Sequence, residues 1–256
     1  MLRRLTAANL LFLAISLAGL VVLLYPFWAP AGTNNDQSRA ALLVLSGALA
    51  MILAALLAEA QTGLTAHTIA LIGTLVGLNA MIRIVDTVLP LPGGFSPVFL
   101  LIILVGHVFG ARLGFLMGSL TLLVSGPLTA GGLGPWTPYQ MLAAGWIGMG
   151  AAWLPTGRSR IFWLVVYGGL WGLAYGAITN LQYWPYALGS PDLRWEPGLG
   201  PLTVLSRYVR FYVVTSFAWD GLRAAGNVVL ILLLSHPLIQ TLQRFRRRAR
   251  VIWEPA

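Results

Sequence analysis

The sequence predicts an all-α, polytopic transmembrane bundle. Two observations carry this prediction, and a third removes the alternative. Hydrophobic residues make up 58% of the 256 residues and charged residues only 9%. A typical soluble domain carries about 25% charged residues, so the deficit is too large for a water-exposed surface. Apolar runs of about 20 residues, each able to cross a bilayer core of about 30 Å, recur along the whole chain. Alternating ten-residue strands, the pattern of a membrane barrel, are not visible, which leaves helices as the way to satisfy the backbone in lipid.

The expected spans lie near 5–28, 40–60, 66–89, 97–110, 112–130, 138–155, 160–186 and 210–236. The first follows Arg3 and Arg4, as a signal peptide would. Its apolar part, Leu5 to Tyr25, is longer than the usual signal core, and Phe27-Trp28-Ala29-Pro30 is a poor small-residue cleavage site. It is therefore read as a retained span. The fourth is short, and the Gly106, Gly110 and Gly114 series blurs its boundary with the fifth. The last is most apolar from Ala224 to Ser235.

Arginine placement sets the expected orientation. With the amino terminus in the cytoplasm, Arg3, Arg4, Arg112, Arg158, Arg160, Arg244, Arg246, Arg247, Arg248 and Arg250 fall inside. Arg39, Arg194, Arg207 and Arg210 fall outside. This asymmetry favours an even number of spans with both termini cytoplasmic. The net charge of +9 comes from 16 basic residues, all arginine. With no soluble basic domain to form a contact face, it reads as membrane orientation and not nucleic-acid binding. The outer connections, Pro90 to Phe95, Gly131 to Trp136 and Ala187 to Ser206, are rich in glycine, proline and aromatic residues. Loops on a rigid frame are where binding residues usually sit.

Several residue groups are candidates for function. Ala66/Ala70 and Gly73/Gly77 place small side chains four apart on the third span, a spacing that admits close helix approach, either within the chain or by a partner. Arg83 and Asp86 on the third span, and Asp220 and Arg223 on the last, are three apart, so each pair can neutralise itself locally. Asn227 lies deeper on the last span. Ionisable residues inside a membrane point to function, although shallow pairs also serve structure. Trp136, Tyr139, Tyr183, Trp184, Tyr186, Trp195, Tyr208, Phe217 and Trp219 fall at the outer boundary. An interfacial belt explains most of them, and the remainder can stack on a flat ligand, with Gln140 and Asn180 adding hydrogen bonds.

Other chemistries find no residues. The chain has no cysteine, which excludes a disulfide frame or thiol nucleophile. His67, His107 and His236 stand apart from any second ligand at metal spacing, so no metal or other cofactor is expected. Asp220-Gly221-Leu222-Arg223-Ala224 is similar to part of the aspartate motif of membrane alcohol phosphotransferases, but the two further aspartates that motif needs are missing. Without lysine there is no phosphate-cradling nucleotide loop.

An ordered set of segments then resembles a known family. It comprises Ile69 to Arg83, Pro92 to Phe99, Gly106 to Gly110, Arg112-Leu113-Gly114 and Gly134 to Leu142. Gly145, Gly148, Gly150, Tyr175 to Pro185, Trp219 to Asn227 and Leu242 to Arg248 complete it. The succession resembles the substrate-binding S component of energy-coupling factor (ECF) vitamin importers. The resemblance implies a six-helix bundle over 64–243 that holds a vitamin near its outer face. The two additional helices expected within 1–63 depart from that six-helix pattern, and a basic cytoplasmic tail is expected at 244–256. It implies partners: a transmembrane coupling subunit and two cytoplasmic ATPases that supply the energy. Asn79, Arg83, Asp86, Phe95, Trp136, Tyr139, Gln140, Asn180, Tyr183, Trp184, Asp220 and Arg223 are the expected substrate contacts. Ala66, Ala70, Gly73 and Gly77 are the expected docking face. The long outer loop and its aromatics suggest a sizeable ligand; the overall look resembles the family members assigned to cobalamin-like cargo, with riboflavin, thiamine or another vitamin precursor left open. A stand-alone ion- or proton-coupled transporter and a membrane-embedded lipid-modifying enzyme are the alternatives.

Overall fold

The structure, a computed structural model, describes residues 7–28, 46–47, 49–50, 54–55, 66–88, 96–129, 132–134, 136–187 and 189–248. Most of the expected second span therefore lies outside the described residues. Among those described, the secondary structure is entirely helical: α1 (Ala7–Leu24), α2 (Ala66–Val88), α3 (Val98–Phe109), α4 (Ala111–Ser125), α5 (Thr137–Ala151), α6 (Arg160–Tyr183), α7 (Pro201–Thr215) and α8 (Phe217–Arg248), with short 3-10 turns after α1, α4 and α6. Among the described residues five helical stretches are long and apolar enough to cross a membrane: α1, α2, α4 together with the 3-10 turn that extends it to Leu128, α6 and α8. This is compatible with a multi-pass membrane protein.

Two parts of the expected helix pattern are corrected. The span expected near 210–236 is instead two helices, α7 and α8, joined at Ser216, whose backbone lies outside the helical region (φ −136°, ψ −25°). The amide of Ser216 still donates to Tyr212 O and its carbonyl still accepts from Asp220 N, both at 2.9 Å, so the break is a kink with little loss of hydrogen bonding. α8 continues through Pro237 to Arg248, and the first residues of the expected tail are helical. Second, α3 and α5 have only 12 and 15 residues. At 1.5 Å per residue, α3 is roughly 18 Å long, short of a bilayer core.

The reason is position. α3 touches α2, α4, α5, α6 and α8, and every residue from Val98 to Val108 is buried. A helix enclosed by other helices has no lipid thickness to match. Pro97 precedes it and Gly110, at φ 101°, ends it; only a residue without Cβ adopts that angle readily. Arg246 of α8 donates to the Val108 carbonyl at 2.7 Å, placing a cation and donor on the otherwise orphaned last turn of α3.

Glycines set the helix spacing. A Cβ on Gly148 of α5 would overlap the backbone of Gly114 in α4, and one on Gly118 of α4 would overlap the Ala144 carbonyl of α5. Gly106 of α3 meets the Gly148 carbonyl in the same way. A second seam joins α6 to α8: Gly168 faces Ile231, Gly172 faces the Ala224 backbone, and Gly176 faces the Asp220 carboxylate. α1 lies at the periphery, seated by Phe12, Ile15, Gly19 and Leu23 on one stripe, with Phe12 edge-on to Phe115 at 5.7 Å. Ala55, from the expected second span, is buried in the same cluster.

The seams make a direct prediction. Gly148→Ala should destabilise the fold by at least about 2 kcal/mol, since neither helix backbone can yield. Gly73→Ala should shift it by no more than about 0.5 kcal/mol, because a Cβ there meets nothing within 4 Å. Thermal unfolding of the purified variants in detergent measures both.

Candidate functional site

One end of the bundle carries the arginines of the α3–α4 and α5–α6 connections and of the α8 terminus; the opposite end carries the aromatic connections. The buried polar side chains gather toward the aromatic end. On α2, Asn79 is fully buried and its amide donates to Val98 O at 3.0 Å and to Thr121 Oγ1 at 3.3 Å. One turn further, Arg83 donates to Ser125 Oγ at 2.8 Å, and Ser125 donates to Thr121 O at 2.6 Å. These two polar rungs fasten α2 to α4 and to the start of α3. Asp86 lies within electrostatic reach of Arg83.

On α8, Arg223 pairs directly with Asp220. Its guanidinium stands 5.5 Å from the centroid of the Tyr175 ring on α6, a cation–π distance. Tyr175 packs against Phe99 of α3 with ring centroids 4.8 Å apart, and only 8% of it is exposed. Its hydroxyl feels the charges of Arg83, Arg223 and Asp220. Arg83 and the Asp220–Arg223 pair, whose sequence positions lie 137 residues apart (Arg83 to Asp220), therefore converge on one tyrosine.

Asp220 is 2% exposed. One oxygen meets Arg223; the other lies over Gly176 and has no hydrogen-bond partner among the described residues. The neighbouring Tyr212 hydroxyl donates to Leu173 O at 3.2 Å, which occupies its single proton. Asn180 donates to the Ser216 hydroxyl at the α7–α8 break, and Asn227 donates to Gly168 O at 2.9 Å. The cluster thus gathers charge of both signs, amides and an aromatic ring in one place.

The expected aromatic contacts divide. Trp184 is 1% exposed, enclosed by Tyr208 at 5.0 Å, Phe27 at 6.0 Å and Phe211 at 6.3 Å between ring centroids. Its indole N–H donates to Leu193 O at 2.7 Å, so in this conformation the ring is a packing element of the 189–200 connection. Tyr139 is buried within electrostatic reach of Tyr25 and Tyr186. Gln140 is half-buried, while Trp136 and Tyr183 are exposed at the rim. Phe95 lies outside the described residues. The structure thus brings Arg83, Asp86, Asp220 and Arg223 together, with Asn79 and Asn180 on either side, and leaves Trp136 and Tyr183 at the edge.

The small residues of α2 sit toward the arginine end. Ala70 and Gly73 are exposed, and a Cβ on Gly73 or Gly77 would meet nothing within 4 Å. The side chain of Ala66 lies outside the description. Ala70 also lines an apolar groove of about 450 Å³ between α2, Leu101 of α3, and Leu238, Leu242 and Phe245 of α8.

Sequence reasoning missed Tyr175, Thr121, Ser125 and Ser216. A signal existed for the α6 seam: Gly168, Gly172 and Gly176 repeat the four-residue spacing that marks α2. No group of three or more metal-binding side chains occurs among the described residues. No protein-family model, curated protein or solved structure matches the chain.

The Asp220–Arg223 pair should behave as a unit. Arg223→Ala leaves a buried carboxylate without its cation and should cost roughly 3–5 kcal/mol, whereas Asp220→Asn combined with Arg223→Ala should recover much of that loss. Denaturant or thermal unfolding of the two single variants and the double variant gives the coupling energy.

Proposed function

We propose that the chain is the substrate-specificity subunit, the S component, of an ECF-type importer. In this reading it sits in the plasma membrane with both termini cytoplasmic, and the aromatic end faces outward. It binds a vitamin or related micronutrient, cobalamin-like by preference, and docks on a transmembrane coupling subunit driven by two cytoplasmic ATPases.

The observation that carries the reading is the convergence of Arg83 with Asp220 and Arg223 on Tyr175. Four helices contribute to one buried polar cluster near one end of the bundle. Toward the other end, the small residues of α2 remain uncovered by the described residues. A binding end and a separate docking face are what a subunit needs if it holds cargo and takes energy from a partner. Nothing in the sequence offers this chain a nucleotide site of its own.

A second reading has one observation of its own. The unpartnered Asp220 oxygen is the kind of buried acceptor that a proton- or ion-coupled carrier uses. Uptake by the chain alone in liposomes, driven by an ion gradient without ATP, favours that carrier over the importer subunit.

The importer reading predicts that one water-soluble vitamin raises the melting temperature of the purified protein in proportion to its concentration, by mass action. Arg83→Ala should weaken that binding at least tenfold, about 1.4 kcal/mol. Gly73→Leu with Gly77→Leu should leave binding unchanged while abolishing co-purification with the coupling subunit. Titration calorimetry and affinity capture from the native host measure these outcomes; a complete vitamin panel without binding rejects the reading.

A further inference from the structure

The outer end of α1 is built into the 189–200 connection. α1 stops at a 3-10 turn, Tyr25–Phe27, with Pro26 buried. The next ring, Phe27, stands edge-on to two tryptophans at once: Trp184 at 6.0 Å and Trp195 at 5.6 Å between centroids, with interplanar angles of 62° and 87°. Trp184 closes α6, and Trp195 lies inside the connection. Phe27 therefore holds the start of the connection against its middle. Each edge-on pair adds attraction beyond the apolar area it covers.

The other side of the connection is held differently. Glu196 pairs with Arg194 at 3.4 Å and with Arg207 of α7 at 3.3 Å, and Arg207 also donates to Arg194 O at 3.1 Å. These charges are partly exposed, so the staple is weak in water and screened by salt. Closure thus has a weak ionic fastening from α7, a hydrogen bond from the Trp184 indole N–H to Leu193 O, and an apolar fastening from α1, whose Phe27 packs on Trp184 itself.

α1 is well placed to act as the movable part. Leu10, Leu13, Leu17, Leu20, Val21 and Leu24 are all exposed, so only the narrow Phe12–Ile15–Gly19–Leu23 stripe seats it on the bundle. It shares contacts with α5 and α6, and the 3-10 turn that follows it touches the turn at Trp184.

We infer that α1 is a latch for the 189–200 connection: Phe27, wedged between Trp184 and Trp195, keeps that connection closed over the ends of α6 and α7, and its withdrawal lets the connection lift. This assigns a role to the first helix that does not depend on what the polar cluster binds.

The test is amide hydrogen exchange on the intact, ligand-free protein in nanodiscs. Phe27→Ala should accelerate exchange in 189–200 about tenfold, the scale set by losing two aromatic contacts from a locally opening segment. The amides of α3 and α4 should be unaffected. Leu17→Ala, on the exposed face of α1 away from both the seat and the wedge, is the comparison. If Phe27→Ala leaves 189–200 unchanged, or if Leu17→Ala accelerates those amides as much as Phe27→Ala does, the latch is refuted and α1 is only a packing helix. Because the chain has no cysteine, a Phe27→Cys, Trp195→Cys variant joined by a short bis-thiol linker gives the converse measurement. Linking should slow exchange of 189–200 below that of the unlinked variant, and unchanged exchange in the linked protein likewise overturns the proposal. Loss of vitamin binding by the native protein bears on the importer reading alone and leaves this result standing.

Discussion

Backbone-to-backbone contact at the glycine seams is the constraint on which the rest of this structure depends. Between helices in lipid there is little hydrophobic gain, because acyl chains are as apolar as leucine. What remains is dispersion at close range and weak Cα–H···O contacts, both of which need small residues. Gly106, Gly114, Gly118 and Gly148 let α3, α4 and α5 approach until backbone meets backbone. Between α6 and α8, Gly172 meets the Ala224 backbone, while Gly168 and Gly176 make room for the Ile231 and Asp220 side chains. The second seam also decides the chemistry. With α8 drawn against α6, Asp220 lies on Gly176 and Arg223 lies over Tyr175. A wider spacing would admit side chains and separate the pair from the ring.

The polar cluster follows from that packing. Each buried amide has spent its donor on a fixed acceptor: Asn79 on Val98 and Thr121, Asn227 on Gly168. Their carbonyl oxygens, together with one oxygen of Asp220, have no partner among the described residues. On α2 and α8 these three unmet atoms are all acceptors, and unmet acceptors attract water, a proton or a donor N–H.

Much of this architecture was legible in the sequence, for physical reasons that also mark the limit. Helical class follows from composition alone, because lipid leaves the backbone no other local solution. The spacing of Arg83 with Asp86 and of Asp220 with Arg223 is a property of one helix turn, so it could be read directly. That the two pairs meet is a property of tertiary packing, and no local pattern encodes it. Tyr175 was overlooked for the same reason: its importance comes from α2 and α8, not from its neighbours in α6. Trp184 shows the reverse error available to sequence reading. A tryptophan beside a loop fits a ligand contact as well as a packing anchor, and only its enclosure by Phe27, Tyr208 and Phe211 distinguishes them. The break at Ser216 was hidden because its hydrogen bonds continue, leaving no glycine or proline to announce it.

The burial of α3 bears on how such a chain is assembled. A helix of 12 residues with its face from Val98 to Val108 covered by protein gains little from entering a bilayer by itself, since it is too short to span it. Its last turn is completed by Arg246, 138 residues later. Completion of the centre of the bundle thus depends on the far end of the chain, and a chain halted before its carboxyl-terminal arginines would leave the last turn of its most apolar helix without that donor.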